Sequence, residues 1–231
     1  MTPKERLIVA LDVPTSDEAD ALVDRLVGAV GMFKVGSQLF TEAGPRFVRQ
    51  LVNRGEKVFL DLKYHDIPNT VAGAVARAAE LGVSLLTVHA LGGKAMLEAA
   101  VGALPAMGTK VLGITVLTSH AEENLGEVGL GGRLADNVRR LAHLAKEARL
   151  DGVVASPHEV GLIRAACGGD FLVVTPGIRP AGSARGDQAR SATPDAAVLA
   201  GADYIVVGRP ILEAPDPRAA AEAIVASLPA R

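Results

Sequence analysis

The sequence predicts an α/β fold, a single (β/α)8 barrel, on three observations. Eight short apolar runs recur along the chain, at residues 7–11, 31–35, 57–62, 84–89, 110–117, 151–154, 171–174 and 203–207, with amphipathic stretches between them. The runs lack clean apolar–polar alternation, as expected of strands buried on both faces in a parallel sheet covered by helices. At 231 residues, eight such strand–helix units favour closure into a barrel over an open doubly wound sheet.

The elements follow in order. After the first run, Ala19, Leu22, Val23, Leu26, Val27 and Val30 recur at helical spacing, and Thr15 with Glu18 forms a capping-box pattern at the start. Phe40, Ala43, Phe47, Val48 and Leu51 repeat that spacing before the third run. Later, Ser156-Pro157-His158-Glu159 offers a cap, a first-turn proline and a capping-box glutamate before another helix. No linker, low-complexity segment or charge block interrupts the alternation, so residues 1–231 are expected to form one domain. Two connections are long, 118–132 and 175–193, and long connections in such folds bind or cover ligands.

Composition narrows the function. Hydrophobic residues make up 49% and charged residues 22% of the chain, which supports an extensive core. The formal charge of −2 and the lack of a basic stripe or aromatic ladder argue against a nucleic-acid partner, leaving a small molecule. Cys167 is the only cysteine, which rules out an internal disulfide or a cysteine zinc cluster and fits the reducing cytoplasm. The run Leu7–Leu11 is too short for a signal peptide, and no run reaches membrane-spanning length. No histidine pair has metal-ligand spacing.

In a barrel of this kind the functional rim lies at the C-terminal ends of the strands. Asp12, Lys34, Asp61 and Lys63, His89, and Thr118-Ser119 terminate the first five runs. Asp61 and Lys63 share a strand face by parity, and Asp66 follows just before the turn at Ile67-Pro68, so the three are expected to form one ionic cluster. At about 4 Å and an effective dielectric near 20, each such pair interacts by roughly 4 kcal/mol. Because buried ion pairs return little net stability, a purely structural role for three such charges is a weak explanation. His65 reads as a packing or hydrogen-bonding residue, and His89 either contacts ligand or satisfies the core. His120, His143, His158, Arg185 and Arg190 read as ordinary loop or helix residues. Gly208-Arg209 ends the eighth run, where backbone N–H groups and a guanidinium can approach a phosphate, and Arg179 and Gln188 in the long loop would complete the grip.

Ala10-Leu11-Asp12, Phe33-Lys34-Val35-Gly36, the decapeptide Asp61 to Thr70, Thr175-Pro176-Gly177-Ile178-Arg179-Pro180, Gly186-Asp187-Gln188 and Val207-Gly208-Arg209-Pro210 together resemble the orotidine 5′-phosphate decarboxylase family, in order from residue 7 to about 212. The resemblance implies a barrel homodimer that makes UMP without metal or organic cofactor, with two sites at the interface. It implies Lys63 as proton donor to C6 of the pyrimidine and Asp61 beside the departing carboxyl group, with Asp66 and Thr70 reaching the neighbouring site. By the same resemblance Lys34 and Asp12 would bind the ribose hydroxyls, Thr118 or Ser119 the pyrimidine edge, and Arg179, Gln188, Gly208 and Arg209 the phosphate, with Pro176 among the substrate contacts. Two other readings stand beside it. A related magnesium-dependent keto-sugar-phosphate decarboxylase shares the Asp-x-Lys-x-x-Asp spacing but carries a glutamate where Lys34 stands, and an ammonium there would repel the ion. A non-catalytic nucleotide-binding barrel has no need of a proton donor beside two carboxylates.

Overall fold

The computed structural model describes residues 1–105, 108–180 and 190–229. Eight parallel strands close in sequence order, β1 (Leu7–Ala10), β2 (Met32–Gly36), β3 (Val58–Tyr64), β4 (Leu85–His89), β5 (Lys110–Ile114), β6 (Gly152–Val154), β7 (Leu172–Thr175) and β8 (Tyr204–Val207), with β8 pairing back onto β1. Each of the eight predicted runs holds one strand.

The helices are α1 (Pro3–Arg6), α2 (Ser16–Leu26), α3 (Ser37–Asn53), α4 (Pro68–Ala79), α5 (Gly93–Gly102), α6 (Leu134–Glu147), α7 (Val160–Cys167), α8 (Pro194–Ala200), α9 (Arg209–Leu212) and α10 (Pro217–Ser227). Their starts follow the local sequence. Thr15 accepts from the Glu18 N–H at the head of α2, and Asp216 accepts from the Arg218 and Ala219 N–H groups at the head of α10. Within α3, Gly44 takes φ 65° ahead of Pro45, which kinks the helix where the proline can offer no N–H. None of the described helices is long and apolar enough to cross a membrane.

Two apolar layers hold the barrel. The larger lies between strands and helices and takes one face of each strand, as with Leu7, Val9, Phe33, Val35 and Leu60. The smaller fills the barrel interior with Ile8, Ala10, Met32, Phe59, Leu85, Leu112, Val174 and Val206. Since side chains alternate along a strand, the residue two positions beyond each interior residue also points inward, one layer nearer the C-terminal mouth.

At the opposite end, Arg164 of α7 binds the Gly201 carbonyl and the Asp203 carboxylate, while Asp203 also accepts from the Val173 N–H. These contacts fasten the starts of β7 and β8.

Candidate active site

The layer above the interior core is Asp12, Lys34, Asp61, Thr87, Ile114, Pro176 and Gly208, each two residues past an inward apolar side chain. Three of the first four strands thus end in charge where the layer below is apolar. The Lys34 ammonium donates to Asp12 Oδ1 at 2.9 Å and lies 3.9 Å from Asp61 Oδ2. Lys63 Nζ donates to the same Asp61 oxygen at 2.8 Å. The four heads therefore run in alternating sign, Asp12, Lys34, Asp61, Lys63. Gly36 leaves room for the first pair: a Cβ there would stand 2.9 Å from Lys34 Nζ.

They line one side of a cavity of about 440 Å³. Phe59, Ala10 and Val206 form its floor, Ile114, Val116 and Val154 its apolar side, and Pro176, Gly177, Arg179, Gly208 and Arg209 its β7–β8 side. One cavity thus offers a charged wall, an apolar wall and two guanidiniums.

Strand parity predicts that Asp61 and Lys63 meet, and they do, but not along a regular strand. The β3–β4 register passes from Leu60↔Leu86 to Tyr64↔Val88, so Asp61, Leu62 and Lys63 lie opposite Thr87 alone. Lys63 takes φ 53°, in the left-handed region that non-glycine residues seldom enter. Thr87, fully buried, fills the gap: its Oγ1 accepts from the Lys63 N–H at 2.9 Å and donates to Asp61 Oδ1 at 3.0 Å.

Asp66 departs from the expected three-charge cluster. Its carboxylate accepts from the Ile67 N–H at 2.6 Å, on an exposed turn, and it makes no ion pair among the described residues of its own chain. Lys34 and Asp12, from other strands, extend the cluster instead on the other side of Asp61. Thr70 is likewise exposed, on the first turn of α4, outside the cavity. Thr118 lines the cavity whereas Ser119 is exposed and does not. Gln188 and Arg185 lie outside the described residues.

His65 and His89 stack with ring centroids 5.2 Å apart and planes at 21°. His65 is exposed rather than packed in the core. Burial, reinforced by electrostatic repulsion between the protonated ring and its neighbours His65, Lys63 and His120, lowers the His89 pKa to about 4. Its Nδ1 accepts from the Leu91 N–H, so the neutral ring carries hydrogen on Nε2.

Arg190 is no ordinary loop residue. It pairs with Glu159 at 2.7 Å and donates to the Leu117 carbonyl at 3.0 Å, so it joins the end of the 175–193 connection to the segment bearing Thr118. Glu159 is therefore not a capping-box residue: its carboxylate serves Arg190, and Ser156 alone caps, accepting from the His158 N–H. The stems of the same connection are bridged at Ile178↔Ala192, with the Arg179 N–H donating to the Ala192 carbonyl at 2.9 Å. A Glu directly before α7 and an Arg past a loop gave no signal that they meet. Thr87 was hidden because a threonine inside Leu85-Leu86-Thr87-Val88 reads as a β-former.

Comparison with known proteins gives a consistent picture. A family model described as orotidine 5′-phosphate decarboxylase / HUMPS family matches residues 5–224. A relative from Moorella thermoacetica named orotidine 5′-phosphate decarboxylase is 54% identical, covering 99% of this chain and 94% of its own. One of the same name from Halorhodospira halophila is 56% identical, covering 97% and 96%. Among solved structures, orotidine 5′-phosphate decarboxylase from Lactobacillus acidophilus superposes with a TM-score of 0.86 at 41% identity, over 97% of this chain and 99% of the other. The one from Pyrococcus horikoshii reaches 0.80 at 28%, over 96% and 98%. With a family model that spans all eight strands and relatives more than half identical from end to end, the chain belongs to the orotidine 5′-phosphate decarboxylase / HUMPS family.

Proposed function

We propose that the chain, as one barrel domain, converts orotidine 5′-monophosphate to uridine 5′-monophosphate, the decarboxylation that completes UMP synthesis, with no metal or organic cofactor. The observation that carries this reading is the alternating line Asp12, Lys34, Asp61, Lys63 on the wall of a cavity that Arg179 and Arg209 also line. Breaking the bond between C6 and its carboxyl group releases CO2 and leaves an electron pair localised at C6, with no adjacent carbonyl to delocalise it. A fixed ammonium stabilises that pair, and Lys63 then transfers a proton from Nζ to C6. Asp61 holds Lys63 in place and stands beside the substrate carboxylate. The apolar wall of Ile114, Val116 and Val154 suits a neutral, apolar leaving molecule better than the anion it replaces.

Asp12 and Lys34 bind the ribose hydroxyls and Thr118 the pyrimidine edge. Arg179, Arg209, the Gly208 backbone and Gln188 hold the phosphate, with Pro176 against the substrate. Binding energy from the phosphate, remote from C6, then lowers the chemical barrier. The functional unit is a homodimer in which Asp66 and Thr70 reach the neighbouring site. Their exposure beside Ile67, an apolar side chain 66% exposed, supports a covered face there. The single buried cysteine, Cys167, suits the cytoplasm.

The test is loss of orotate-ring absorbance by purified protein in the presence of chelator. Turnover is expected to persist, and Lys63→Ala is expected to abolish it while UMP still binds. Chelator-sensitive turnover of a keto-sugar phosphate in place of the nucleotide, or nucleotide binding without turnover, would replace this reading.

A further inference from the structure

The geometry points to Thr87 as a positioning residue that aligns the Asp61–Lys63 pair; the inference rests on the decarboxylase reading above. At the mouth end of β3 the ladder to β4 is interrupted, with three residues of β3 facing one of β4. The backbone N–H of Lys63 there has lost a ladder carbonyl as partner, and the Thr87 hydroxyl replaces it at 2.9 Å.

The direction of each bond is fixed by chemistry. A backbone N–H can only donate, so Thr87 Oγ1 accepts from Lys63, and its single proton goes to Asp61 Oδ1, 3.0 Å away. The other oxygen of Asp61 faces Lys63 Nζ at 2.8 Å and Lys34 Nζ at 3.9 Å. One hydroxyl thus locks the carboxylate plane and, through the main chain, the base of the lysine that this carboxylate steers. The side chain is fully buried, so no water can take its place without a cavity being opened. Lys63 sits at φ 53°, a conformation that persists only where its surroundings enforce it, and the bond from its own N–H to Thr87 is one such constraint. Thr87 does not line the cavity. It acts through its two neighbours, not on the substrate.

The experiment compares Thr87→Val, which keeps the shape and removes the hydroxyl, with Thr87→Ser, which keeps the hydroxyl. For Thr87→Val we expect kcat to fall by about 10- to 100-fold, the range for losing one hydrogen bond to a charged group, while the dissociation constant for UMP, measured by calorimetry, changes by less than about twofold. Thr87→Ser is expected to recover most of the lost kcat. If Val lowers the yield of folded protein, Thr87→Ala and Thr87→Ser, which differ only by the hydroxyl, carry the same comparison. Wild-type kcat in Thr87→Val, a serine variant no better than alanine, or a parallel loss of UMP affinity would each overturn the inference. Lys63→Ala is assayed alongside: if it is inactive while Thr87→Val is normal, only Thr87's role fails, whereas an active Lys63→Ala removes the decarboxylase reading itself.

Discussion

Acid sensitivity of the fold should trace in part to His89. Its pKa in the folded chain is lowered to about 4, by burial first and then by His65, Lys63 and His120, against 6.5 for a free imidazole. Above pH 6.5 the ring is neutral in both folded and unfolded chains and contributes no pH dependence. Between 6.5 and 4 the unfolded chain takes up a proton that the folded chain refuses, so stability falls as pH falls, and below 4 the loss is complete. A difference of about 2.5 units at 1.36 kcal/mol each sets an upper limit of about 3 kcal/mol. Solvent screening at the part-exposed ring brings that to about 1.5 kcal/mol. Protonation would also place a hydrogen on Nδ1, against the Leu91 N–H it now accepts. His89→Asn keeps an acceptor near that position and removes the titration. Urea unfolding at pH 7, 6, 5 and 4.5 should show the variant losing about 1.5 kcal/mol less than the parent over this interval. Parallel stability curves for the two proteins would refute the reasoning.

Three further perturbations address the rim and the face around it. Arg209→Ala should raise KM by about 10- to 100-fold through loss of a charge-assisted phosphate contact; an unchanged KM in steady-state assays would remove the phosphate from that end of the cavity. Glu159→Gln removes the counter-charge of the Arg190 guanidinium in a buried setting, leaving it amide and carbonyl acceptors, and should cost about 1.5–3 kcal/mol in chemical unfolding, and a change under about 0.5 kcal/mol would show the pair to be screened by water. Inactive Asp66→Ala mixed with inactive Lys63→Ala should regain about a quarter of parental activity, because half the dimers are mixed and each of those holds one intact site. No recovery after subunit exchange would place Asp66 outside the neighbouring site.

The barrel was legible because its signal is periodic and redundant: burial on both faces forces apolar strands, and every interval between them carries helical spacing. Boundaries were less so. The run 110–117 yields a strand only to Ile114, since Val116 and Leu117 spend their apolar character on the cavity wall. The run 57–62 extends to Tyr64, because pairing resumes with Val88 after the interruption. The charged ends of β1 to β3 were readable as a site since buried charge is expensive and needs a reason. What escaped were contacts between residues far apart in sequence and bland in type. Nothing near Arg190 announces Glu159, and nothing about Thr87 distinguishes a hydroxyl that bonds two charged partners from one that merely favours a strand. Asp66 differs for the opposite cause: proximity in sequence suggested a contact with Asp61 and Lys63 of the same chain, whereas its carboxylate accepts from the Ile67 N–H on an exposed turn.

The arrangement of the four heads also explains how the barrel tolerates them. Lys34 and Asp61 have side chains only 11% and 12% exposed, deep enough that either alone would be a serious burden on the fold. Alternating signs give each an opposite charge on at least one side, and Asp61, flanked by two ammoniums and bonded by Thr87, carries the most partners. The gradient runs outward, with Asp12 and Lys63 at 55% and 37% exposure. The inner pair is therefore fixed by its surroundings, while the outer pair keeps access to whatever enters the cavity. Such a line is oriented before substrate arrives, and little reorganisation is left for the chemical step. The same logic predicts a graded response to neutralisation: removing Lys34 should disturb Asp61 and thereby Lys63, whereas removing Asp12 should leave the Asp61–Lys63 pair in place.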